Sequence, residues 1–494
     1  MGITSNSQSN TAQAFWVGIG SLSTFAFTLI STAILSRYLD KSDYGTYKQV
    51  MYVYNTLLFV FTLGLPKAYS YFLPRYPKEE GLSIVKKING IFLIMGLVFG
   101  MLLYWGSPII AHVLNNEQLV TPLKFFALTP AFLLPTMGLD GIMAVYKKTI
   151  INAVYLILTR IIMLLFVCLP VVLYKNDCNY AIIGFTISSF ICLIFSFFFE
   201  KLPFKGCSTK KSDLKYRDVF NFALPLLIAS FGGVAIKAAD QFFVSRYFGA
   251  EVFADFSNGS LELPFVGMVL SAGAAVLLPL FSKYVVDGPS NKGNILVLWS
   301  RSLDKAALIL YPLVVYCFVF ASLIMTFLYG DQYATSAVYF RIMLVVNIFT
   351  VAQYYPIIIA LGATKYYARV HVYMSILVWT LDFLSIIICP SPYMISIISV
   401  LCHLLKIFLM AEFIAKSLGV NILNLFPIKY LSRNLLVCII SAFIVYKISK
   451  FIPCDGSKFI LLTVSFSIYS LLVLLGGLLL KINYLNVIKP LIKR

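Results

Sequence analysis

The sequence predicts an all-α integral membrane protein of about fourteen transmembrane helices: two six-helix lobes related by an internal repeat, then two C-terminal helices. Three observations predict it. Of 494 residues, 60% are hydrophobic and only 12% charged, against ~25% charged in a soluble domain, so most of the surface must face lipid. Fourteen apolar stretches reach the ~20 residues needed to cross a bilayer. Finally, one frame recurs. Leu35-Ser36-Arg37-Tyr38 returns as Val244-Ser245-Arg246-Tyr247, and at the same spacing Leu39, Tyr44 and Tyr47 are answered by Phe248, Phe253 and Phe256. Phe72-Leu73-Pro74 and Leu277-Leu278-Pro279 then close the next apolar run in each half. Two echoes in the same order predict a duplicated bundle.

The first lobe, 1–200, holds stretches near 13–36, 46–73, 88–111, 119–146, 149–174 and 180–200. Residues 201–217 form a basic linker, the longest polar stretch between spans and too short for a soluble domain. The second lobe, 218–416, holds 218–245, 252–282, 303–329, 333–361, 366–389 and 393–416, and the remainder, 417–494, holds 432–452 and 457–480 with a tail. Pro225, Pro264 and Pro312 lie within spans and predict kinks rather than breaks.

Basic residues fix the orientation. With the N-terminus inside, one set of connections collects roughly 25 Lys and Arg and the other roughly 7, the asymmetry of a cytoplasmic and an outer face. Both termini are therefore expected in the cytoplasm. This segregation accounts for most of the +19 formal charge and leaves no basic soluble face for nucleic acid. Residues 1–12 carry no Lys or Arg and the first apolar run is span-length, unlike a cleaved signal peptide. The nine cysteines show no C-x-x-C spacing and read as buried, inert thiols, while His112, His371 and His403 are too scattered for a zinc site. No H-E-x-x-H, G-x-S-x-G or Walker loop is present. Outer connections such as Asn115-Asn116-Glu117, Gly330-Asp331-Gln332 and Pro390-Ser391-Pro392 are short for a catalytic loop. An enzyme is not expected, and any transport must draw on an ion gradient, the membrane potential or the substrate's own gradient.

The candidate functional residues are charges stranded within spans, where each costs at least ~2.5–3.5 kcal/mol on insertion scales unless it faces a bundle interior or an aqueous cavity. They are Lys67, Asp140, Arg160, Lys237, Asp240, Glu262, Arg341, Asp382 and Lys406. Lys48 and Lys124 lie near span ends and can snorkel. Lys237 and Asp240, three apart on one helical face, can pair with each other. Arg160 has no local acid, so its partner is Asp140 on the preceding span or a ligand. Arg341 also lacks an acid within a turn. Lys67 can snorkel or line a cavity. Asp382 and Lys406, on successive spans, suit a structural pair, and Glu262 sits beside Pro264 at an expected kink.

The opening frame, ending Leu35-Ser36-Arg37-Tyr38-Leu39 and followed by Asp43-Tyr44-Gly45-Thr46-Tyr47, resembles polysaccharide flippases of the multidrug/oligosaccharidyl-lipid/polysaccharide (MOP) exporter superfamily. Leu73-Pro74-Arg75-Tyr76 and the seventh span, with Ala239-Asp240-Gln241-Phe242 and Tyr247-Phe248-Gly249, are also similar to that family. The resemblance implies two six-helix lobes around a central cavity with two extra helices. It implies an undecaprenyl-pyrophosphate-linked oligosaccharide moved to the outer leaflet of a bacterial cytoplasmic (inner) membrane by alternating access. The partners it implies are that lipid-linked substrate, membrane lipids and other polysaccharide-assembly proteins. No catalytic residue, cofactor or metal is implied. Of the residues named, only Asp240 falls on a matched motif.

Beside the resemblance, a pyrophosphate needs cations at membrane depth, and arginine suits it through its bidentate fork. Arg160 and Arg341, with Lys67 and Lys237 assisting, are the candidate headgroup residues. Asp240, Glu262 and Asp140 are candidates for coupling or lobe closure. Two rival readings remain: an ion-coupled multidrug exporter of the same superfamily, and a non-transporting scaffold of envelope assembly.

Overall fold

The computed structural model describes residues 10–288, 291–451 and 457–484, and every regular element among them is helical. Both termini of the expected topology, including the tail lysines, lie outside the described residues. The chain divides into two compact units, Met1–Ala254 and Asp255–Arg494.

In the first unit, α1 (Asn10–Tyr38) runs into Asp40, whose carboxylate accepts from the Asp43 N–H at 2.7 Å and so caps α2 (Lys41–Thr62). Two left-handed residues, Leu63 (φ 51) and Gly64 (φ 73), then break the second span, and Pro66 in the first turn restarts it as α3 (Pro66–Phe72). The third span is one helix, α4 (Lys78–Val113). The fourth is in pieces: α5 (Val120–Phe126), α6 (Thr129–Leu133), a 3₁₀ turn at Leu134–Gly138, and α7 (Leu139–Val145). Pro122, Pro130 and Pro135 each remove a backbone donor there. Next come α8 (Thr149–Leu173) and α9 (Cys178–Glu200), both continuous.

The 201–217 linker lies along the start of α4. Lys210 N–H donates to the Glu79 carbonyl at 2.9 Å, Ser212 N–H to Ser83 Oγ at 3.2 Å, and the Lys87 ammonium to the Leu214 carbonyl. After it, α10 (Tyr216–Gly259) is a helix turned at Gly249, where φ is 82 and ψ 175, a conformation that favours glycine. Gly249 stands in the repeat where Asp40 stands, so both copies of the frame change direction at the same place.

The second unit contains α11 (Pro264–Val286), α12 (Lys292–Val319), α13 (Ala321–Tyr329), α14 (Ser336–Phe349), α15 (Tyr354–Ala360), α16 (Thr364–Ile388), α17 (Pro392–Leu418), α18 (Ile422–Leu425), α19 (Ile428–Ser449) and α20 (Lys458–Leu479). Tyrosines tie the last helix to α12. Tyr316 donates to the Leu462 carbonyl at 2.9 Å, and Tyr469 to the Pro312 carbonyl at 2.9 Å. Trp299, fully buried, donates its indole N–H to the Leu425 carbonyl at 3.0 Å.

Among the described residues, 12 helical segments are long and apolar enough to cross a membrane; the pair α14–α15, bent by 42°, makes 13, and α10 holds the remaining expected stretch. Two expectations are corrected. The 252–282 stretch is not one kinked helix, because residues 260–263 are non-helical and Pro264 begins α11 instead of bending it. Likewise 333–361 is two helices with an unwound Thr350–Gln353 segment. The second and fourth spans are thus broken in both sets of six, and in the second set the third stretch is also divided, at Phe320, between α12 and α13. Burial echoes the repeat as well: Leu35 and Val244, and Ser36 and Ser245, are all wholly buried, whereas Tyr38 and Tyr247 are both 43% exposed.

Candidate functional site

Arg160 lies about 16 Å along α8 at 1.5 Å per residue, near the middle of a ~30 Å hydrocarbon layer. It is half-buried and lines a cavity of about 70 Å³ with Thr28, Ser31 and Thr32 of α1 and Tyr47 of α2. The guanidinium carries five donors. One of its terminal nitrogens meets Met163 Sδ, a weak acceptor, at 3.4 Å, and its buried Nε has no hydrogen-bond partner among the described residues. Asp140 does not pair with it. That carboxylate, in the first turn of α7, accepts from Asn152 Nδ2 at 2.9 Å, an amide nearer than the arginine. A guanidinium with an unpartnered Nε among the described residues and hydroxyls around it has the chemistry to accept an anion.

The other candidates are placed differently. Arg341 on α14 donates from Nε to the Phe318 carbonyl at 3.2 Å and from a terminal nitrogen to Ser322 Oγ at 3.0 Å, so it satisfies the C-terminal end of α12. Arg341→Gln is therefore expected to lower thermal stability by about 1–2 kcal/mol, the value of such bonds. An unchanged melting curve in detergent would show that these contacts hold nothing. Lys67 is exposed in the first turn of α3, immediately after the Leu63–Gly64 break. On α10, Lys237 is exposed and Asp240 is buried. Glu262 is not inside a helix; it is exposed in the link between α10 and α11. Asp382 on α16 is fully buried and Lys406 on α17 half-buried.

Three polar groups escaped the sequence reading. Glu200, at the end of α9 and 3% exposed, accepts from Asn89 Nδ2 at 2.7 Å and Ser196 Oγ at 2.8 Å, and the Tyr69 hydroxyl donates to Asn89 Oδ1. This chain joins α3, α4 and α9 through buried side chains. Gln49, wholly buried on α2, accepts from Asn116 Nδ2 at 2.6 Å and donates to Ser245 Oγ at 2.8 Å. Beside it, Gly45 lies so near the Ala250 backbone that a Cβ would collide. Gln353, at the α14–α15 break, is 8% exposed, and its Oε1 has no partner among the described residues. Glu200 was hidden at a span end, where an acid reads as interfacial. The uncharged amides carry no signal within apolar runs.

A family model described as polysaccharide biosynthesis protein matches residues 11–285, more than half of the chain. No curated protein matches the sequence. Solved structures share its fold. The lipid II flippase MurJ, in an inward closed conformation, aligns with a TM-score of 0.67 at 13% identity, covering 95% of this chain and 100% of that one. A multidrug resistance MATE family transporter of the MOP superfamily, inward-facing, aligns at 0.58 with 11% identity, covering 81% and 99%. A MOP superfamily transporter from Pyrococcus furiosus aligns at 0.55 with 12% identity, covering 83% and 96%. The chain is thus a multi-pass membrane protein with the fold of MOP superfamily transporters, and it belongs to the polysaccharide biosynthesis protein family.

Proposed function

We propose that this chain is a flippase that moves a polyprenyl-pyrophosphate-linked oligosaccharide across a bacterial cytoplasmic membrane by alternating access, for surface polysaccharide assembly. Both termini are cytoplasmic in this reading. Residues 1–200 and 218–416 act as the two lobes, joined by the 201–217 linker, and 417–494 adds two helices. The observation that carries it is Arg160, a guanidinium at mid-span in a cavity that mixes hydroxyls with apolar side chains, with no acid among the described residues lining it. Family membership and the fold shared with a lipid II flippase support it. Arg160 receives the pyrophosphate. Lys67, beside a broken span, and Lys237 and Arg341 add positive charge along the path, while Asp240, Glu262 and Asp140 serve coupling or closure. No reaction is catalysed; work comes from an ion gradient, the membrane potential or the substrate gradient.

The test is a strain lacking the gene. Accumulated lipid-linked repeat units and a bare surface, both reversed by the wild-type gene, are the expected result. Normal surface glycan with no accumulated carrier, in a strain without a second flippase, would reject the reading. Cation efflux abolished by Asp240→Asn would instead identify a drug exporter.

A further inference from the structure

A larger cavity, about 450 Å³, lies wholly within the second unit between α11, the α14–α15 break, α16 and α17. Its volume falls in the range of small-ligand sites, ~300–1,000 Å³. A helix unwound at membrane depth is tolerated where it lines a cavity, and in transporters such breaks mark binding sites. This break is ordered. Gln353 N–H donates to the Val351 carbonyl at 3.0 Å and Tyr354 N–H to the Ala352 carbonyl at 2.8 Å, two tight turns that pair the N–H groups there. The Gln353 side chain lines the cavity, is more than nine-tenths buried, and has no donor to its Oε1 among the described residues. Gly273 of α11 makes room for that amide, since a Cβ there would run into it. Tyr355 and Tyr367, their rings edge to face at 5.7 Å, give the cavity an aromatic wall.

The lining asks a ligand for hydrogen bonds rather than charge. Lys406 and His403 of α17 also line the cavity, but both already have interaction partners within the protein, His403 through Nδ1 to the Ser399 carbonyl at 3.0 Å. No carboxylate is among the described residues lining it, so none of them offers a cation an ion pair. An apolar chain would leave the Gln353 amide unpaired, which burial makes costly. A hydroxyl both donates and accepts, and so serves the amide whichever end is turned to it. Tyrosine rings suit the C–H faces of a sugar. We propose that this cavity binds an uncharged sugar of the carried glycan, with a hydroxyl on the Gln353 amide and a C–H face on the Tyr355–Tyr367 wall. This rests on the flippase reading, and it gives the glycan a recognition site separate from that of the pyrophosphate on Arg160.

The test uses the full-length protein in lipid nanodiscs and three titrated probes. These are a farnesyl-pyrophosphate disaccharide ending in glucose, the same compound ending in glucuronate, and the methyl ester of farnesyl pyrophosphate, which keeps the diester charge but carries no sugar. The glucose compound is expected to bind roughly tenfold tighter than the methyl ester, a difference of ~1.4 kcal/mol, and no weaker than the glucuronate compound. Gln353→Leu and Gly273→Ala should each erase the gain from the sugar and spare the methyl ester. The atoms nearest the alanine methyl are those of the Gln353 amide, a movable end, so Gly273→Ala keeps the test open if the leucine variant does not fold. Equal binding of the glucose compound and the methyl ester overturns the inference while leaving the flippase standing. So does a sugar gain that survives both variants, or tighter binding of the glucuronate compound. Binding of none of the three removes the flippase reading and this inference with it.

Discussion

Arg160→Ala is expected to abolish export of lipid-linked oligosaccharide while leaving protein abundance and melting temperature at the wild-type level. Both halves follow from the same geometry. The guanidinium is held at membrane depth by a thioether contact, with Nε unpartnered among the described residues, so its removal breaks no strong bond and relieves a desolvated charge. A pyrophosphate would recover that cost through charge-assisted bonds worth ~1.5–3 kcal/mol each, and losing two such bonds reduces substrate occupancy by roughly 10²-fold or more. Arg160→Lys keeps the charge but loses the fork, and should retain partial export. The measurement is surface glycan and accumulated lipid-linked intermediate, each normalised to protein abundance. Wild-type export by the alanine variant would remove Arg160 from the site. Poor abundance with normal export per molecule would make it a structural residue.

The second large effect is on stability. Asn89→Leu is expected to destabilise the first unit by about 2–5 kcal/mol. It strips one donor from the buried Glu200 carboxylate and the acceptor from the Tyr69 hydroxyl, each costing ~1–3 kcal/mol when left unmade. Replacing the acid too removes the orphan. The Asn89→Leu/Glu200→Leu double variant should therefore lose less than the sum of the two single variants. Thermal unfolding in detergent measures all three, with Ser196→Ala as a reference that removes a single bond to the same carboxylate. Strict additivity, or an Asn89→Leu loss no larger than that of Ser196→Ala, would show that the network is not coupled.

Fold and site were legible to different depths. Span positions followed from hydropathy because lipid demands ~20 apolar residues whatever their neighbours do. The repeat was visible because Ser36 and Ser245 with Tyr38 and Tyr247 keep matching burial. Arg160 stood out since a charge in an apolar run is costly anywhere. Breaks were harder. Pro264 reads alike as a kink or a helix start, and the structure makes it a start. Partners were harder still. Asp140 meets the uncharged Asn152, a choice made by the packing of α7 against α8 rather than by charge. Gln353 looks like an ordinary polar residue until the unwound segment and Gly273 surround it.

The interrupted second and fourth spans also set an order of biogenesis. A continuous helix such as α4 or α8 satisfies its own backbone and can leave the translocon alone. The five- and seven-residue pieces α6 and α5 cannot, because each break exposes peptide groups that lipid does not solvate. They must stay sheltered until neighbouring spans arrive. The fourth span therefore completes its packing only once α9 has been synthesised, and a ribosome stalled just after residue 146 would hold a chain whose most broken segment has α4 beside it but not yet α9.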